Sequence, residues 1–585
     1  MAKKIFSSIL LIINFACFSQ IVYVKQNATG LNNGTSWQDA YTDLSTAINT
    51  TSIEAEIWVA AGVYLPTTNI NGVIPGNPQE KSFRLKSNLA IYGGFNGTET
   101  LRSQRNWSTN QVTLSGAFGG NNGNALHVIS CVNETFGRNT VLDGLKITGG
   151  YANGTNSLSS GSAIDINNAN DSSFTLANCT ITFNATHGSG AVSLFRCNGI
   201  IENNIFSYNQ AFTGGALSLS RSSPLITNNV FDSNTADNFP QLSASALYGG
   251  ALNVGYNSGP KILNNIFKEN YAKFRGGAIT FDSSYPVEFS NNLIANNESR
   301  DGGGIYISSN SGYYYFFNNL ISKNTANNFG GGLYIENNLR QNYFVNNTIV
   351  QNSAQNGGGG LYIYNSKLTF ANTIFYNNAT NISPNGAQIR MAINTSLLTN
   401  FNHCNIQGGL PAIWQNGPAQ GYQDNLDTPP LFTDDSNYYG FLNNYRLLLQ
   451  SPLIDAGTTD SNVFPQNWTH PDYGYTVDFP TTDYDGNPRV RGIIDIGAFE
   501  NQASLGIAEQ QQTVIKTYPN PVKDYLYFDT ENPVDKIEIT DYVGRKIETI
   551  EPHAKYVDLG HLKSGMYFIL LYFDTKSVIT KIIKE

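Results

Sequence analysis

The chain has 585 residues, of which 13% are charged, and a formal net charge of −9. That length is too great for one ordinary core and argues for an extended body with appended modules, while the absence of a basic cluster excludes a nucleic-acid partner. Charge is uneven: 21 of the 77 charged residues (34 basic plus 43 acidic) fall within 513–585, so a boundary is expected near 512.

Residues 1–19 read as a secretory signal peptide. Lys3 and Lys4 precede an apolar run from Ile5 to Phe18, and Cys17-Phe18-Ser19 leads into Gln20. The run is too short for a stable span. Asn14 stands where a lipoprotein cleaved before Cys17 needs an aliphatic residue. No later stretch reaches membrane length, so no transmembrane segment is expected after cleavage. The mature chain keeps Cys131, Cys179, Cys197 and Cys404, whose spacings fit no zinc motif. Buried single thiols are the expectation, with Cys179–Cys197 the one pairing worth testing.

Residues 20–55 are expected to cap a solenoid. Apolar positions at 37, 40, 41, 44, 47 and 48 make a helical stripe, with Ser36 as its N-cap. The first coil is expected from Glu56 to Tyr64, and Ala90–Phe95 lies in the next. The phrases GTSWQDAY, IWVAAGVY and IYGGFNGTE resemble the opening of secreted β-helix proteins from Bacteroidetes.

Between Ser162 and Asn378 one pattern occurs eight times: a Gly/Ala run, an alternating strand, a variable stretch, then an Asn and two apolar positions. The residue after the small run is Ile164, Val192, Leu217, Leu252, Ile279, Ile305, Leu333 or Leu361, at intervals of 28, 25, 35, 27, 26, 28 and 28 residues. The long interval is an insertion, Asp237 to Tyr248. An Asn recurs in phase at 178, 203, 228, 264, 291, 318, 346 and 372, with another six residues on. Strands and turns alone, in about 27 residues, leave no room for the crossover of a dozen or more residues that a βαβ unit needs. The reading is a stacked coil in which each repeat buries its apolar face against its neighbours. In-phase Asn amides would bond along the axis, and Asn or Gly would supply left-handed corners. The pattern resembles the right-handed, three-sided parallel β-helix of pectate-lyase-like proteins. The fold class expected is therefore all-β, with the β-helix over 56–439 and a small β-sandwich after it.

Residues 440–502 are similar to a choice-of-anchor Q segment, on Leu449–Gly457, Asp483–Arg489 and Asp495–Glu500, and are expected to finish the solenoid. Asp483, Asp485 and Asn487 alternate as oxygen donors beside a Gly, as calcium loops require. Ile494 stands where an EF-hand loop places its Glu, which favours a plain turn. Calcium is the one cofactor the sequence leaves open. After a linker at 503–512, residues 513–585 resemble the type A sorting domain of the type IX secretion system, on Tyr518-Pro519-Asn520-Pro521, Ile537–Arg545 and the LKSGMYFILLY stretch. That resemblance implies recognition by the export machinery and a secreted product, either released or held at the outer cell surface.

On stacked coils, outward residues form columns. One reads Asp165, Ser193, Ser218, Asn253, Thr280, Tyr306, Tyr334, Tyr362; the next ends in Asp282, Ser308, Glu336, Tyr364. Tyr306, Tyr334, Tyr362 and Tyr364 are thus candidates for stacking on sugar rings. Asp282 and Glu336, two coils apart and so about 9.6 Å between backbones, reach the loose end of the inverting-glycosidase range. Arg300 and Asp301 sit in a neighbouring corner. His127, His187 and His403 are scattered, and read as structural. The expectation is a polysaccharide-binding or adhesin-like surface module, with a lyase or glycoside hydrolase as the alternative and a passive surface protein as the third reading.

Overall fold

A computed structural model describes residues 20–584 apart from 53, 120–122, 138, 240–246, 283–284, 309–311, 383–385, 393–398, 416–420, 435–443, 461–462, 464–467, 470–475, 478, 491, 503–515, 530–533, 542–545, 552–554 and 574–575. The signal peptide, the linker and most of the Asp237–Tyr248 insertion lie outside the described residues. The chain divides into two compact units, Met1–Ala503 and Ser504–Glu585.

The first unit is a parallel β-helix. A full coil contributes four short strands, for example Leu217–Ser220, Leu225–Thr227, Val230–Asp232 and Thr235–Ala236. These stack into parallel sheets of 24, 12 and 9 strands. Strand alternation sends Leu217, Leu219, Ile226 and Phe231 inward, all fully buried. Equivalent rings then meet from coil to coil: Phe206–Phe231 at 4.7 Å, Phe231–Phe267 at 4.6 Å, and Phe289, Phe316, Phe344 and Phe370 in a stack at 4.8 Å.

The two Asn tasks expected of one position are divided between neighbours. The first Asn of each pair takes the left-handed corner, with φ of 56° at Asn203, Asn228 and Asn291. The next residue points inward and forms the axial ladder. Asn229 Oδ1 accepts from Asn204 N at 2.9 Å and from Asn204 Nδ2 at 3.0 Å, while Asn229 Nδ2 donates to Ile201 O at 2.8 Å. A second ladder runs through the Asn six residues on, as in Asn209–Asn234–Asn270–Asn297–Asn324–Asn352–Asn378, with side-chain contacts of 2.9–3.0 Å. Buried amides are tolerated here because each one is bonded on both sides. The glycine runs have an equally local cause. A Cβ on Gly276 (φ 63°) would lie 2.2 Å from Ile279 O, and one on Gly277 would lie 2.1 Å from Gly303 O in the next coil.

The N-terminus departs from expectation. Gln20–Val24 is already a rung, paired in parallel with Ala55–Ala60, so the solenoid begins ahead of Glu56. The helix, α1, covers only Leu44–Thr50 and is capped by Asp43, whose carboxylate accepts from Thr46 N at 2.8 Å. Ser36 bonds Asp39 instead. The upstream half of the stripe is held extended, because Tyr41 N donates to Tyr23 O and Lys25 N to Tyr41 O, covering the edge of the first rung. Leu44, Ala47 and Ile48 join the solenoid core.

The described residues of 440–502 do not lengthen the coil. They fold back along its flank, where Tyr445, Leu447, Leu453, Ile496, Ala498 and Phe499 bury the outward residues Leu293, Ala295, Leu320, Val350 and Ile374. Val477 covers Tyr315, Phe317, Val345 and Ala371 on the adjoining sheet. Hydrogen bonds fix the docking: Asn372 Nδ2 to Thr458 O and Asn318 Nδ2 to Thr482 O, at 2.9 and 2.8 Å.

The second unit is a β-sandwich of one three-stranded and one four-stranded antiparallel sheet around Leu526, Phe528, Ile537, Ile539, Val557, Ile569, Leu571 and Ile582.

Candidate functional site

The register confirms the outward column of the first sheet: Asp165 pairs with Ser193, then Ser218, Asn253, Thr280, Tyr306, Tyr334 and Tyr362 follow. It continues to Arg390 and Trp414. Tyr306 and Tyr334 stack at 4.8 Å, as do Tyr334 and Tyr362. The rings nonetheless offer no platform. Tyr306 and Tyr362 are only 1% and 7% exposed, and their faces are spent on each other. The two ends of the stack are also closed, by the Arg275 guanidinium over Tyr306 at 4.7 Å and by Phe329 on Tyr362 at 4.5 Å. The neighbouring corner folds its column Tyr248, Arg275, Asp301, Phe329 against these strands, which the period-two rule alone could not reveal. Burial, then the nearby Glu336 carboxylate, pushes the Tyr306 phenol far above its ordinary range. Tyr364, 44% exposed, is the member of the four left with an open ring.

The acidic candidates are each engaged. Asp282 is exposed and accepts from Ser308 Oγ at 2.7 Å. Glu336 lies beside the Tyr306 phenol and faces Arg275 at 3.8 Å. Asp301 is buried, held by Arg300 Nε at 2.8 Å and Asn328 Nδ2 at 2.7 Å. Glu336, Asp301 and Arg275 thus gather round the tyrosine stack, whereas Asp282 stands apart from them. Sequence reasoning missed Phe329, Arg390 and Trp414. The last two were legible, because extending the same column by one and two coils reaches them. Arg390 lies over Trp414 at 4.2 Å.

The residues considered for calcium make a hairpin turn. Asp483 is buried, and its carboxylate accepts from Asp485 N, Asn487 N and Glu500 N at 2.9, 2.8 and 2.9 Å. Asp485 is ion-paired with Arg446. Those oxygens accept from backbone donors and a guanidinium. Among the described residues no group of three His, Cys, Asp or Glu could hold a metal ion.

Cys131, Cys179, Cys197 and Cys404 are all buried free thiols. Cys179 N bonds Asn204 and Cys197 N bonds Ser222, so these two occupy different inner columns. Burial pushes the Cys131, Cys179 and Cys404 thiols up to about 12, which leaves them inert. His127 is buried against Gly161 O at 3.1 Å, and His187 accepts or donates to the Tyr151 hydroxyl at 3.0 Å. Both are packing residues. His403 lies 4.0 Å from Asp424.

The geometry defines a class of protein: an elongated parallel β-helix followed by a small β-sandwich. Residues 162–349 match the family described as right handed beta helix region, and residues 516–585 match the secretion system C-terminal sorting domain. The chain therefore carries a β-helix as its body and a type IX sorting domain as its tail, which marks it for secretion to the cell surface or the extracellular space. No curated protein matches the chain. Among solved structures, pectate lyase Pel9A is similar over 82% of this chain and 96% of its own, at 13% identity and a TM-score of 0.41. A likeness of that size speaks to no chemistry. No helix among the described residues is long and apolar enough to cross a membrane.

Proposed function

We propose that the secreted protein is a non-catalytic module that binds extended polysaccharide along the outward column Asp282, Ser308, Glu336 and Tyr364. One observation carries this reading. Tyr364 keeps an open ring directly above Glu336 in the ladder, with Asn337 and Asn365 bonded at 3.1 Å beside them. A sugar ring presents a C–H face to an aromatic surface and hydroxyls to carboxylate and amide edges. Rungs about 4.8 Å apart repeat such groups along a line, as a linear polymer requires. The pairing of Asp301 with Arg300 and of Glu336 with Arg275 supports binding over a glycosidase carboxyl pair, which needs both groups open to the substrate.

The test is incubation of the purified secreted protein with uronic-acid and neutral glycans. Retention on at least one immobilised glycan, lost about fivefold or more in Tyr364→Ala, is expected. Unsaturated products or new reducing ends would establish the enzymatic reading in its place. Retention on no glycan would leave the protein a passive surface structure.

A further inference from the structure

The two outer faces of the sorting domain differ in kind. Its three-stranded sheet pairs Lys516–Tyr518 with Tyr525–Asp529 and the latter with Tyr556–Asp558, setting Tyr518 opposite Tyr527 and Tyr527 opposite Tyr556. Alternation sends Leu526, Phe528 and Val557 into the sandwich, and the same alternation turns the tyrosines out. Tyr518, Tyr525, Tyr527 and Tyr556 are 54%, 46%, 42% and 39% exposed. Their rings form one patch, with centroids at 6.0 Å for Tyr518–Tyr527, 5.8 Å for Tyr527–Tyr556 and 5.7 Å for Tyr525–Tyr556. None of the four hydroxyls has a hydrogen-bond partner among the described residues.

On the four-stranded sheet the charged groups pair with one another, beside the exposed apolar residues Ile547, Met566 and Ile583. Glu538 accepts from Lys536 Nζ and Lys546 Nζ at 3.0 Å each and from the Tyr572 hydroxyl at 2.9 Å. Lys536 also lies over the Tyr572 ring at 4.1 Å. The tyrosine face is held in place as well. Asn520, in the turn after Tyr518, bonds Lys581 O and Ile583 N at 2.9 and 2.8 Å, tying that hairpin to the strand Lys576–Lys584.

A row of tyrosines steadies an antiparallel sheet whether or not anything covers it. Four touching, half-exposed phenols with unused hydroxyls go further, because rigid aromatic rings with a polar tip are the side chains that dominate protein–protein contacts. A sorting domain acts by being read by another protein, and of its two faces this is the one whose clustered rings carry hydroxyls without a partner among the described residues. We propose that the export machinery reads the chain through the tyrosine face of Tyr518, Tyr525, Tyr527 and Tyr556. The partner is a protein surface that offers apolar groups to the rings and carbonyl or carboxylate oxygens to the hydroxyls.

The experiment uses the full chain, expressed in a host with a working type IX system and followed by fractionation into periplasm, cell surface and medium. Tyr518→Thr, Tyr527→Thr and Tyr556→Thr are combined, since Thr retains strand preference. Export is expected to fall about tenfold or more, with protease-resistant chain left in the periplasm. Met566→Thr with Ile583→Thr, on the opposite face, should export normally. If the triple variant loses protease resistance, Tyr527→Lys alone decides, because a single exposed change leaves the sandwich intact. Normal export of the folded triple variant, or of Tyr527→Lys in that case, overturns the proposal, as does equal loss from both faces. Normal export with loss of cell-surface retention also overturns it, and assigns the patch to a surface lipid. Glycan retention by the secreted protein is a separate measurement, so neither result bears on the other.

Discussion

Coils before about residue 290 and coils after it share one interior and wear different exteriors. In the earlier stretch outward positions of the 24-stranded and 12-stranded sheets carry ion pairs, Lys261–Glu288 at 3.0 Å and Lys268–Asp232 at 2.7 Å. In the later stretch the first of these columns turns to Tyr315 and Tyr343 and the second to Ala295 and Val350, beside Phe317, Val345 and Ala371 and beside a column, Leu293, Leu320 and Ile374, that is apolar already at Val230. There the described residues of the returning segment lie over them. The inward letters specify a coil anywhere along the chain, and the outward letters specify what rests on it. A change of composition on one face is therefore a docking signal, even where the repeat itself never falters.

The largest effect tests the shared interior. Asn234→Leu and Asn324→Leu each remove an Oδ1 that accepts two bonds and an Nδ2 that reaches a backbone carbonyl, at Phe206 and Ile294. Leaving several buried groups unpaired should cost about 3–5 kcal/mol in each case. Equal shifts of the unfolding midpoint in the bare and the covered coil are expected. A much smaller loss in one would show that the ladder is not uniform.

Next comes the exterior of the later coils. Leu453→Ala should cost about 2–4 kcal/mol through lost burial and a cavity, and should free the flanking segment to proteases while amide protection of the coils persists. Simultaneous loss of both would mean that the cover holds the rungs themselves together.

The smallest effect concerns Asp165, a carboxyl buried on the outer side of the first sheet between Ser130 and Ser193. Burial holds it well above the usual carboxylate range. With the folded pKa above the unfolded one, its contribution is complete in acid and is lost as pH rises through the folded value. Asp165→Asn should therefore match the parent near pH 3 and exceed it at pH 7, on the order of 1 kcal/mol. An identical pH profile for the two proteins would contradict the assignment.

Much of this was legible in the chain. The period of Ile164 to Leu361 gave the coil and its phase, because a stacked repeat has little freedom to place an inward residue anywhere else. The sequence also showed Tyr306, Tyr334 and Tyr362 in line, and they are. Their burial was not legible, since it depends on a corner folding Arg275 and Phe329 over them, and corner geometry leaves no period-two trace. The helix over 36–48 failed for a related reason. Its stripe is real, but backbone pairing of Tyr41 with Tyr23 competes for the same residues. The return of 440–502 along the flank was written in Phe317 and Val350, and only the partner was missing.

The buried amide ladder has a consequence for lineage. It runs one way, each carboxamide donating to the coil after it, and at Asn378 it passes to Gln388 and then to Gln407. Every coil thus arrives with its own plug and its own socket. A gene could copy or drop one unit among the bare coils, and the joint would close unchanged. Among the covered coils the same event would throw the overlying segment out of step, so growth in length is open at one stretch of this molecule and closed at the other.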